Sequence, residues 1–198
     1  MSAHPELDAL LERVRSADAA ARAAGHPPVV LIDGPAGAGK STLADLIVER
    51  WPDAATPVLV RMDDLYPGWG GLVEGSVSLG EELLAPRRAG AAGRWQRYSW
   101  ALARPDEWNE VDGTLPLVVE GCGTLSRANA PFADLRIWLA ADDHLRKGRA
   151  LRRDNGGFDA HWDHWQSQFE EYLERETPLA QADVVLDVTD WPLVSRDT

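Results

Sequence analysis

The run Gly34-Pro35-Ala36-Gly37-Ala38-Gly39-Lys40-Ser41 has the residue types and spacing that a phosphate chain demands. In the pattern GxxxxGK followed by Ser or Thr, glycine lets backbone N–H groups turn inward around phosphate oxygens. The lysine reaches the terminal phosphates, and the hydroxyl helps to hold magnesium. Gly34, Gly39, Lys40 and Ser41 fill the four defining positions. The chemistry to expect is the binding of a nucleoside triphosphate with Mg2+ through Gly34, Ala36, Gly37, Ala38, Gly39, Lys40, Ser41 and Thr42. The chain has only two lysines, and one of them falls at the required place. That argues against a glycine-rich turn with a merely solvated lysine.

Three other groups could turn nucleotide binding into a reaction. Arg61-Met62-Asp63-Asp64-Leu65-Tyr66 follows an apolar run, which puts carboxylates at the carboxyl end of a strand, where ligands bind in open α/β sheets. Asp63 there can accept the proton of an acceptor hydroxyl as a phosphoryl group leaves ATP, or hold water around magnesium. Asp64 reads equally well as a solvated turn or a helix cap. Glu120, just past Leu117-Val118-Val119, is placed to bind magnesium through water. Arg146, Arg149 and Arg153 share one face of a predicted helix at i, i+3, i+7 spacing and could close over a triphosphate. The Gly156-Gly157 pair beyond them offers a hinge.

These residues need a parallel sheet to position them. Val29–Ile32, Val58–Val60, Leu117–Val119, Leu135–Leu139 and Val184–Leu186 are short apolar runs of the kind buried on both faces. Helical segments fall between several of them, notably about 142 to 153 and about 158 to 176. Ahead of them, Leu7, Leu10, Leu11 and Val14 predict an amphipathic N-terminal helix within residues 1 to 25, stopped at Gly25. Residues 64 to 115, rich in Gly, Pro and Trp, read as a long insertion with a functional task.

At 198 residues the chain fits one domain. Its formal net charge of -12 disfavours nucleic acid and anionic membrane surfaces as partners, so a small molecule is expected. Cys122 is the only cysteine, so no internal disulfide can form; this suits a reducing cytoplasm. The start at His4-Pro5-Glu6-Leu7-Asp8 lacks a secretion-signal pattern, and no apolar stretch has membrane-spanning length. An Asn-Lys-x-Asp guanine reader and a Ser-Gly-Gly-Gln transporter signature are both missing, which leaves a kinase as the leading class.

With these residues in hand, the chain resembles the uridine kinase-like branch of P-loop kinases, which includes phosphoribulokinase and a bacterial pantothenate kinase. The resemblance spans about 28 to 188. It rests on the phosphate loop, Asp63-x-x-Tyr66, the strand ending in Glu120-Gly121, the arginine-rich stretch ending Arg153-Asp154, and Ala182-Asp183-Val184-Val185, in that order. It implies a three-layer α/β P-loop fold: a five-stranded parallel sheet of order 2-3-1-4-5, helices on both faces, a lid at about 146 to 160, and an acceptor site in the 64 to 115 insertion. It also implies Asp63 as catalytic base, Tyr66, Tyr98 and Trp100 at the acceptor, and Ser41 with Glu120 on magnesium. Lys40, Arg149 and Arg153 would steady the transferring phosphoryl, with Arg146 on the nucleotide.

The departures lie at the acceptor. Uridine kinases carry an Asp after the first tyrosine loop and a Tyr-Asp-Phe segment followed by a His. Here 67 to 85 has no Asp, and the second segment reads Tyr98-Ser99-Trp100. Trp69, Trp95, Trp100 and Trp108 could wall a flat acceptor or simply pack the insertion. His161 and His164 have no third ligand nearby and read as packing or surface. Beside an ATP- and Mg2+-dependent small-molecule kinase stand two alternatives: a kinase of the sugar, shikimate or antibiotic type, and a noncatalytic ATP-binding regulator.

Overall fold

The structure, a computed structural model, describes residues 5–53, 55–154 and 156–190. The N-terminal His4 and the tail after Asp190 lie outside the described residues. Helix α1 (Pro5–Ala23) buries Leu7, Leu10, Leu11 and Val14 as one stripe. It ends as its sequence dictates. Gly25 takes φ +85°, its N–H bonds Arg22 O, and His26 N bonds Ala21 O, which satisfies the last carbonyls of the helix.

Strand β1 (Val29–Asp33) is buried along its whole length and runs into the glycine loop, which opens α2 (Lys40–Glu49). Strand β2 (Val58–Arg61) follows. After the insertion come β5 (Leu117–Glu120), β6 (Leu135–Ala140), helices α5 (Asp143–Arg153) and α6 (Trp162–Glu176), the short α7 (Pro178–Gln181) and β7 (Val184–Asp187). The main sheet has the order β2-β5-β1-β6-β7 with all pairings parallel. Counting only its own strands along the chain, that is the expected 2-3-1-4-5.

Because side chains alternate across a strand, each strand feeds two cores. Val30, Ile32, Val118, Ile137 and Leu139 pack with α1 and α2 on one face. Val29, Leu31, Val119 and Trp138 pack with the insertion and with Trp165, Phe169 and Tyr172 of α6 on the other. Three layers result, and strands buried on both faces explain why the sequence shows continuous apolar runs rather than alternation.

The insertion is more ordered than a loop. It contains α3 (Leu72–Ser78), a widened π-helical turn at Leu79–Leu84, the single-turn α4 (Ala85–Arg88), and an antiparallel hairpin of β3 (Gly93–Ser99) and β4 (Arg104–Val111). Leu72, Leu79, Leu83 and Leu84 are fully buried and anchor it to the sheet. The hairpin is mostly exposed and carries Trp100 at its turn.

Candidate functional site

The site lies where β1, β2 and β5 end. Asp33, the last residue of β1, is completely buried yet accepts four hydrogen bonds. They come from Gly34 N (2.7 Å), Gly123 N (3.2 Å), Leu125 N (2.8 Å) and the Tyr172 hydroxyl (2.6 Å). Burial pushes its pKa above the ordinary carboxylate value, against the pull of these bonds and of the Lys40 charge. Asp33 thus ties the start of the phosphate loop to the segment after β5 and to α6. Its only sequence signal was a carboxylate closing an apolar strand.

The loop itself depends on two close approaches. Gly34 (φ +144°) has no room for a Cβ, which would stand 2.3 Å from Leu139 O; at Gly37 (φ +81°) a Cβ would stand 2.0 Å from Arg146 O. The loop is therefore clamped between β6 and α5. Gly39 (φ +90°) precedes the first turn of α2, whose free N–H groups and dipole favour an anion. Lys40 is buried, and its Nζ donates to Gly34 O (2.8 Å) and Pro35 O (3.0 Å), with Cys122 Sγ at 3.6 Å.

Ser41 Oγ donates to Glu120 Oε1 at 2.8 Å, and Arg61 Nη1 reaches the same oxygen at 3.2 Å while Nη2 holds Asp45 at 2.7 Å. Burial lowers the Arg61 pKa, but Asp45 and Glu120 more than offset this and raise it overall. Cys122 is a free thiol whose Sγ donates to Gly34 O at 3.3 Å, and burial pushes its pKa up to about 11. Arg61 and Cys122 were not singled out from sequence.

A cavity of about 530 Å³ joins these groups. It is lined by Ala36, Gly37, Gly39, Lys40, Ser41, Thr42 and Glu120, by Asp63, Tyr66, Trp69, Trp100 and Trp165, and by Arg149, Arg153 and Phe158 of α5 and the segment after it. Gly34 and Ala38 are buried behind the loop rather than on the cavity wall. Asp63 is exposed to the cavity, and its backbone carbonyl accepts a hydrogen bond from Trp100 Nε1 at 2.8 Å. Asp64 is half-buried off the cavity, with its pKa raised by that burial. Tyr66 is buried and donates to Cys122 O at 2.8 Å; burial also raises its pKa well above the ordinary value.

Of the predicted arginines, Arg149 and Arg153 reach the cavity and Arg146 does not. Arg146 is buried against Trp162, with Nε on Asp143 (2.7 Å) and Nη2 on Gln166 (3.1 Å), and its Nη1 has no partner. Arg153 is paired with Asp154 at 2.8 Å, which raises its pKa. Tyr98 stands behind Trp100, edge to face with it at 5.4 Å, and does not line the cavity.

Trp69 does both things expected of the insertion's tryptophans. It faces the cavity and also packs on Phe158 (5.1 Å), His161 (4.4 Å) and Trp100 (4.7 Å). Trp108 lies outside, under Arg94, and Trp95 packs on the core. Among the described residues no group of three or more His, Cys, Asp or Glu side chains could hold a metal unaided, and no helix is long and apolar enough to cross a membrane.

No protein-family model matches the chain, and no curated protein matches it significantly. Solved structures do resemble it. One named as a possible uridine kinase, from Bacillus stearothermophilus, superposes with a TM-score of 0.61 at 20% identity, covering 90% of this chain and 99% of its own. One provisionally named a fructose transport system kinase, from Silicibacter sp. TM1040, gives 0.57 at 18% identity, with 91% and 98% covered. The YGR205w protein gives 0.58 at 12% identity, with 92% and 94% covered. The sheet order, the phosphate loop at the end of β1 and these likenesses together give the chain a three-layer α/β P-loop fold, similar to that of these solved structures.

Proposed function

We propose that the protein is an ATP- and magnesium-dependent kinase that phosphorylates a hydroxyl of a small molecule. The observation that carries this reading is that one cavity is lined both by the phosphate loop and by Asp63 with a group of aromatic side chains. A protein that only bound nucleotide would not need a carboxylate and an aromatic surface in the same cavity as the lysine.

In this reading the amides of Ala36 to Lys40 and the amino end of α2 hold the phosphates. Lys40 exchanges its two loop carbonyls for terminal phosphate oxygens. Arg149 and Arg153 lie on the cavity wall, where they can offset the charge that builds up on the transferring group. Asp63 accepts the proton of the acceptor hydroxyl, a contribution typically worth about 10²- to 10⁴-fold. An oxygen-only pair such as Ser41 and Glu120 fits magnesium, which keeps several waters and takes its remaining ligands from phosphate. When bound, the ion supplies counter-charge to the phosphates.

The test is a metabolite panel incubated with ATP and Mg2+ and read by mass spectrometry for a gain of one phosphoryl group. The reading expects at least one acceptor product that is lost in Lys40→Ala. ATP binding without any acceptor product across a broad panel would instead point to the noncatalytic alternative.

A further inference from the structure

We infer that the acceptor of this site is an alcohol carried on a flat, largely apolar ring system, and not a ribonucleoside or sugar; the inference rests on the kinase reading above. Asp63, Tyr66, Trp69, Trp100, Phe158 and Trp165 line the same cavity as the phosphate loop. Five of these six are aromatic: Tyr66, Phe158 and Trp165 are buried and back the half-buried Trp69 and the exposed Trp100, and the rings brace one another. Trp69 stacks on Phe158 and meets Trp100 at 4.7 Å, and Tyr66 meets Trp165 edge to face at 4.8 Å. Such a wall is formed before a ligand arrives, which lowers the ordering cost of binding.

Most polar atoms in that wall are already engaged. The Tyr66 hydroxyl donates to Cys122 O, Trp100 Nε1 donates to Asp63 O, and Cys122 Sγ donates to Gly34 O. Trp165 Nε1 has no partner, but it is buried out of contact with solvent. Beside the Arg149 guanidinium and the Arg153–Asp154 pair contributed by the segment above and the indole N–H of Trp69, the acceptor this wall leaves uncommitted is the Asp63 carboxylate. One carboxylate matches one hydroxyl.

A pentose or hexose would bring several further hydroxyls, and a nucleobase its own donors and acceptors. Each would give up water for an aromatic surface and lose affinity. A single hydroxymethyl group on an aromatic body pairs its only polar function with Asp63 and lays its faces on the rings. The same chemistry accounts for the hairpin. Its turn brings Trp100, still 39% exposed, onto the Asp63 backbone, where it adds an aromatic surface to the cavity.

Calorimetric titration in the presence of a nonhydrolysable ATP analogue and Mg2+ separates binding from turnover. The probes are 2-naphthylmethanol and benzyl alcohol against uridine, fructose and ribitol. At least one aryl alcohol should bind tenfold or more tightly than each polyol. Trp100→Ala should weaken that alcohol about tenfold while leaving ATP-analogue affinity within twofold, and Trp100→Phe should restore most of the loss. Tighter binding and phosphorylation of a polyol would overturn the inference and leave the kinase reading standing. So would a Trp100→Ala protein that binds aryl alcohols as well as wild type. If neither class binds, the inference fails. Aryl-alcohol binding that depends on Trp100, with no phosphoryl transfer from ATP, would sustain the acceptor pocket and overturn the kinase reading.

Discussion

Ser41 Oγ and Glu120 Oε1 lie 2.8 Å apart in a hydrogen bond that joins the first turn of α2 to the end of β5. Arg61 sits on the same carboxylate oxygen at 3.2 Å. Glu120 therefore stands between a hydroxyl that can share a magnesium ion with it and a guanidinium that competes for it. Glu120→Gln should weaken nucleotide binding in the presence of Mg2+ by about 10- to 100-fold and leave Mg2+-free binding nearly unchanged. Arg61→Ala should act in the opposite sense, lowering the Mg2+ concentration that half-saturates nucleotide binding. Titrating Mg2+ against a fluorescent ATP analogue checks both.

Gly37 is required for shape rather than chemistry. Its φ of +81° and the 2.0 Å approach of a built Cβ to Arg146 O mean that alanine must move either the loop or the α5 backbone. Gly37→Ala should cost about 1–3 kcal/mol of stability and weaken nucleotide binding at least tenfold, because the amides of the loop move with it. Gly156→Ala is the control: its φ is +88°, but the added methyl meets open space. It should show the smaller backbone cost and keep nucleotide affinity. Thermal melts and ATP-analogue titrations of the pair separate the two effects.

The Cys122 thiol gives the protein an alkaline weakness. Its pKa rises to about 11 on folding because of burial, so between the ordinary thiol value and about 11 the folded chain keeps a proton that the unfolded chain has lost. The stability from this group is complete below the ordinary value and falls as pH rises through that window, by about 3 kcal/mol in all. Cys122→Ser can still donate to Gly34 O and does not titrate there. Its denaturation midpoint should fall less steeply above pH ~9 than that of wild type. Tyr66 and Tyr172, also raised mainly by burial and in part by the Cys122 charge, act in the same direction, and losing that charge in Cys122→Ser further flattens the alkaline fall.

What the sequence made legible follows from which residues leave a periodic or chemical mark. The strands of the parallel sheet are buried on both faces and appear as apolar runs, and the phosphate loop is a dense pattern of glycine, lysine and serine. The β3–β4 hairpin left no such mark. Residues such as Arg104, Asp106 and Glu107 are exposed along β4, so no buried face imposed a two-residue alternation, and the segment read as loop. Its register is held instead by cross-strand hydrogen bonds and by pairs such as Arg97 with Glu107.

The arginine spacing was correct as helix geometry but did not report depth. Arg146 and Arg153 share a face yet lie about 10 Å apart along the axis. The amino-terminal end is sunk where Gly37 packs on it, so Arg146 turns to Trp162 while Arg149 and Arg153 reach the cavity. Asp33 was hidden for a different reason. A carboxylate at a strand end usually meets solvent, and only the tertiary structure supplies the four donors that allow this one to be buried.

In the proposed reaction Asp63 takes a proton from an acceptor hydroxyl bound in the cavity that Lys40 also lines. The most direct measurement compares wild type and Asp63→Asn for single-turnover phosphoryl transfer to a bound acceptor, alongside equilibrium ATP-analogue affinity. The transfer rate should fall about 10²- to 10⁴-fold in Asp63→Asn, with nucleotide affinity within twofold. Transfer by Asp63→Asn at the wild-type rate would contradict that role for Asp63.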